Sequence, residues 1–148
     1  MGKFIRICPQ IVLAALALTL VLPRPVAVKA SAQDAQQQTI EVTAKRYEFD
    51  PATIHVKQGA KVQLKFTAID HDHGFKIREY PDGADMKGQP GIVITSYQEC
   101  VKLVKGTATI VEFAAQTPGT YSFRCCNFCG MGHSGMKGQI VVDPSGAN

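Results

Sequence analysis

From Thr39 onward, apolar and polar residues alternate along much of the chain. Ile40 and Val42 alternate in residues 40–44, Ile54 and Val56 in 53–56, and Val62, Leu64 and Phe66 in 61–66. Alternation of this kind puts one set of side chains on a single face of a strand. Turn-forming residues separate these runs, with Asp50-Pro51 before the second and Lys57 to Ala60 before the third. Residues 106–113 are rich in β-branched side chains. Residues 117–120 (TPGT) then turn into a run with Tyr121, Phe123 and Cys125 on one face, and 138–143 (GQIVVD) closes the pattern. No stretch after residue 32 sustains a helical period, and no internal repeat occurs. Short strands at close spacing predict an all-β, antiparallel two-sheet sandwich. Residues 79–100 are the exception: they are turn-rich over 81–91 and are expected to form one long loop, with Met86 at its surface.

The first 32 residues follow a different rule. Lys3 and Arg6 precede an uncharged apolar run, 11–22, and a small-residue stretch ends at Ala30, Ser31 and Ala32. This is the pattern of a secretory signal peptide, with an uncleaved anchor as the alternative. The expected organisation is a signal over 1–32, a flexible polar leader over 33–38, one domain over 39–143 and a tail over 144–148. The protein is therefore expected to be exported, either periplasmic or attached to the outer side of the cytoplasmic membrane. A membrane contact is expected only if the first segment stays uncleaved.

Charge changes its meaning once that segment is set aside. The whole chain has 16 Lys and Arg against 12 Asp and Glu, but Lys3, Arg6, Arg24 and Lys29 all fall before residue 33. The 12 bases that remain face 12 acids, which removes the basic surplus that nucleic-acid binding would need.

Residues 125–136 read CCNFCGMGHSGM. Cys125, Cys129, His133 and Met136 follow at gaps of four, four and three, just after a predicted strand, with glycines that let the chain bend tightly. Thiolate, thioether and imidazole together suit copper or zinc better than hard cations. A ligand from elsewhere is needed to complete a coordination shell, and His71 and His73 lie at the end of the most regular strand. His55 has no such company and reads as a surface residue. The five cysteines, Cys8, Cys100, Cys125, Cys126 and Cys129, are too clustered for a stapling framework. Zinc held by Cys125, Cys126, Cys129 and His133 is a further alternative, disfavoured because neighbouring residues on a strand point apart. Residues 132–135 (GHSG) lack the full nucleophile-elbow pattern, there is no phosphate-binding glycine loop, and the pairs Asp70/Asp72 and Asp82/Asp85 read as solvated. No enzymatic chemistry is expected.

The motif Cys125-x3-Cys129-Gly-x2-His133-x2-Met136, with His73-Gly-Phe upstream, resembles the copper A domain of cytochrome c oxidase subunit II. Similar domains occur in nitrous oxide reductase. The resemblance extends over residues 39–143 and implies a Greek-key cupredoxin β-sandwich. It implies that Cys125 and Cys129 bridge two copper ions, that His73 and His133 bind one each, that Met136 is a weak axial ligand, and that Asn127 offers its backbone carbonyl. It also implies single-electron transfer between redox proteins, such as a c-type cytochrome or a membrane oxidase. Two departures stand out: oxidase members usually carry glutamate where Asn127 stands, and this chain has no Trp for an electron-entry patch. Their two membrane helices are also missing from the pattern, so the expected protein is the copper domain alone. The alternatives are one copper ion in a blue-copper arrangement, and a periplasmic copper carrier or store. Cys126, beside a bridging cysteine, is expected to be a small buried apolar residue, with a disulfide to Cys100 or metal ligation as alternatives.

Overall fold

The computed structural model describes residues 37–146. The expected signal segment, residues 33–36 of the leader and the last two residues of the tail lie outside them. Among the described residues no helix is long and apolar enough to cross a membrane.

The chain forms β1 (Gln37–Lys45), β2 (Glu48–Asp50), β3 (Thr53–Lys57), β4 (Lys61–Ala68), β5 (His73–Ile77), β6 (Ile92–Ile94), β7 (Val101–Leu103), β8 (Ala108–Ala115), β9 (Gly119–Arg124) and β10 (Lys137–Asp143), with one turn of 3-10 helix at His133–Gly135. They make two sheets, ordered β2-β1-β4-β8-β6 and β3-β10-β9-β5-β7. The all-β two-sheet sandwich expected from the alternation is observed. In β4, Val62, Leu64, Phe66 and Ala68 are buried while the residues between them are not. Each strand lays down one apolar face, and the two faces meet.

Three expectations need correction. The sheets are not purely antiparallel: β1 runs parallel to β4 and β3 parallel to β10. The chain changes sheets between β2 and β3 and again between β3 and β4, so neighbours in sequence are seldom hairpin partners. The leader also ends earlier than expected, because Gln37 and Gln38 already pair with Lys61 and Val62. Their side chains are polar, but it is the backbone that pairs, and hydropathy does not report that. Finally, residues 79–100 are not one loop. Ile92–Ile94 add a sheet edge against β8, and Gln116 N–H donates to Gly91 O at 2.7 Å. Met86 is exposed, as expected.

The core is aromatic at its centre. Phe49, Phe66, Phe75 and Phe123 are all buried, with ring centroids between 4.6 Å (Phe66–Phe75) and 6.4 Å (Phe49–Phe75) apart. Burying each such ring contributes about 1.5–3 kcal/mol. Three strands carry this inward face to one end of the sandwich: residues 73, 75 and 77 of β5, 121 and 123 of β9, and 140 and 142 of β10. Continuing the same alternation by one step beyond β9 reaches Cys125, and by two steps before Ile140 reaches Met136.

Candidate metal centre

At that end the inward faces become chemical. His73, Cys125, Cys129 and Met136 are all at most 3 % exposed. One potential ligand atom from each of His73, Cys125 and Cys129 lies within 4.8 Å of the other two. The two sulfurs are 3.9 Å apart and unbonded. Cys129 Sγ also lies 3.8 Å from Met136 Sδ and 3.6 Å from His133 Nδ1. The Asn127 carbonyl is 3.1 Å from Cys125 Sγ, which donates to it as a thiol. The six residues that the resemblance implies as ligands thus lie together. His133 is half-buried and joins through Cys129.

Local structure explains the convergence. Cys125 N–H donates to Met136 O (2.9 Å), closing residues 125–136 into a loop between β9 and β10. His133 N–H donates to Gly130 O, and the 3-10 turn brings Met136 back inward. Gly132 leaves room for the Tyr47 ring, which packs where a Cβ would otherwise stand. Arg46 Nε donates to Cys129 O (2.9 Å), tying the loop to the β1–β2 turn.

Charges and hydrogen bonds at the site define which donor atoms are left free. Asp70 is pushed up by burial, but the His73 side chain and the Arg46 N–H donate to its carboxyl and hold it down at about 2. An ionised carboxylate only accepts, so at 2.8 Å His73 Nε2 carries the shared hydrogen. In the neutral imidazole this leaves Nδ1 bare, and Nδ1 is buried without any hydrogen-bond partner. Such an orphaned group costs about 1–3 kcal/mol unless something occupies it. Burial and the neighbouring Cys125 raise the Cys129 thiol to about 11, against the pull of Arg46. Two thiols, a bare imidazole nitrogen and a thioether around one small space form a donor set that fits copper.

The sequence reading missed some of this. Asp70, expected to be solvated, instead orients His73, and Asp72 accepts from Lys105 N–H and pairs with Lys102. Spacing and hydropathy could not reveal either contact, although a carboxylate three residues before a candidate histidine was visible. His71 lies outside the cluster, half-buried, its ring 6.1 Å from that of His73. His55 is exposed beside Asp143, as expected of a surface residue. Cys126 is not the free buried residue expected first: it is half-buried and forms the alternative, a disulfide with Cys100. Strand alternation turns it away from Cys125, toward the loop before β7. Gly74 makes this possible, since a Cβ there would come within 2.7 Å of Cys126 Sγ and 2.9 Å of Cys100 Sγ.

A two-sheet β-sandwich with a His, two Cys and a Met gathered at one end defines a cupredoxin. The family model for the cupredoxin-like domain matches residues 12–142, and the chain belongs to that family. Among its relatives is cytochrome c oxidase subunit 2 of Thermus thermophilus, 31 % identical over 106 residues, which cover 72 % of this chain and 66 % of the relative. A second Thermus thermophilus subunit 2 is equally similar, with 53 % of its length covered. The chain thus spans less than two thirds of the length of these relatives. Similar solved structures include the periplasmic domain of cytochrome oxidase subunit II from Bradyrhizobium japonicum (TM-score 0.53, 16 % identity, 73 % of this chain and 85 % of that one). Auracyanin A, a blue copper protein from Chloroflexus aurantiacus, is comparable (TM-score 0.54, 19 % identity, 73 % and 100 %). These two likenesses concern the fold.

Proposed function

We propose that this is an exported cupredoxin that carries single electrons at a copper A-like centre of two ions. The thiols of Cys125 and Cys129, the imidazoles of His73 and His133, the Met136 thioether and the Asn127 carbonyl would hold the ions. Bound copper would supply a one-electron couple. The chain's own contribution is to hold the donors still and dry. Asp70 fixes the His73 ring, Arg46 anchors the loop at Cys129, and the aromatic core keeps water from the inner side. The observation that carries this reading is the gathering of two unbonded thiols around the buried His73 ring, whose Nδ1 has no hydrogen-bond partner. The donor and acceptor would be other redox proteins, with a c-type cytochrome or a membrane oxidase as the expected kind.

A single-copper reading has its own support, because Cys129 alone is close to both His133 and Met136. Electron paramagnetic resonance of the copper-loaded protein separates the two. Hyperfine splitting from two copper nuclei is expected, and Cys125→Ser should abolish it. Splitting from one nucleus, unchanged in Cys125→Ser, would leave the single-ion site.

A further inference from the structure

On the outer face of the second sheet, Arg124 stands directly opposite both Lys76 on β5 and Lys137 on β10. Directly opposed residues share a face, so three cations form a row across three adjacent strands, spanning about 10 Å. Like charges placed this way destabilise a sheet. Protection of a sheet edge does not explain them, because β5, β9 and β10 are all interior strands. The acids near them are few. Glu99 pairs with Lys76 and Asp82 with Arg78, but among the described residues neither Arg124 nor Lys137 makes an ion pair. A groove of about 400 Å³ runs along the row, with Arg78 and Ser122 also lining it. Arg124 and Lys137 are the chain neighbours of Cys125 and Met136, so the row borders the candidate centre.

We propose that this row is the docking surface for a carboxylate-rich patch on the redox partner, an inference that rests on the electron-transfer reading. Residues after the expected signal carry as many acids as bases, so the attraction comes from this patch and not from net charge. The footprint suits two or three carboxylates, and is narrow for a membrane surface. Complementary charge of this kind speeds encounter and fixes orientation, bringing the partner within one residue of the ligands.

The test is nuclear magnetic resonance of the isotope-labelled chain titrated with a polyglutamate peptide, at about 10 mM and about 1 M salt. Shifts centred on residues 76, 124 and 137 are expected at low salt only. In Lys76→Gln/Arg124→Gln/Lys137→Gln, binding should weaken by roughly threefold to a hundredfold, while Lys57→Gln/Lys61→Gln should bind as the wild type does. The triple variant should also be no less stable than the wild type. Unchanged binding would overturn the proposal, and so would a clear loss of stability, which would make the row structural. Vesicles of phosphatidylglycerol binding through the row while polyglutamate does not would assign the surface to lipid instead. None of these readouts requires copper. With copper bound and reduced, each oxidant takes one electron from the centre. Ferricyanide should react more slowly with the triple variant than with wild type at low salt, and cationic tris(phenanthroline)cobalt(III) should react faster. If neither oxidant reacts with the loaded wild type, the electron-transfer reading fails, and the titration still judges the row.

Discussion

His73 shows how much one neighbour decides. Its ring is buried, yet Asp70 occupies only one nitrogen, so the other is left available in a defined tautomer. The carboxylate also makes the fold sensitive to acid. Its folded value is about 2 against an ordinary 3.8, so its stabilising effect is complete above the ordinary value and is lost as pH falls through about 2. In metal-free protein, Asp70→Asn should therefore lower stability at neutral pH and flatten the decline between about pH 4 and pH 2. Urea titrations at several pH values would measure this, and parallel curves for the two proteins would refute it.

Among the elements, the loop between β9 and β10 has to face two ways. Cys125 points into the sandwich, and Cys126 reaches outward to Cys100 across Gly74, whose N–H lies 3.4 Å from Cys125 Sγ. The disulfide thus presses the ligand loop onto β5 beside His73, and it removes a third thiol from the loop. Cys100→Ser/Cys126→Ser should retain the sandwich by circular dichroism but release copper at least several-fold faster to a chelator. Equal release rates would show that the bond holds nothing at the centre. This pairing was legible in the sequence only as an alternative, because alternation tells which way Cys126 points but not what waits there. Strand identity was legible wherever one face was apolar, as in β4 and β9. It failed at Gln37–Gln38 and at Ile92–Ile94, where pairing is made by backbone or by a short edge.

Across the whole molecule, the site is an extension of the core. Phe75 follows His73 by two positions on the same face, and Phe123 precedes Cys125 in the same way. His73, Cys125 and Met136 were readable as candidates for this reason: they sit in phase with the hydrophobic pattern, and their side chains are chemically distinctive. Asp70 and Arg46 were not, since each acts through a contact that crosses between elements. Phe66, on β4, packs on Phe75, with centroids 4.6 Å apart. Phe66→Ala should cost about 3–5 kcal/mol by urea unfolding. A cost below about 1 kcal/mol would mean that the core closes over the gap and that the ring is not a support.

The long stretch of chain between His73 and Cys125 has a consequence for biosynthesis. The first donor is made early, but its companions lie beyond β9, and β10 must slot between β3 and β9 before Met136 is held in place. A half-synthesised chain cannot cage an ion. The full donor set is therefore assembled only in the finished polypeptide, once its final strand has docked.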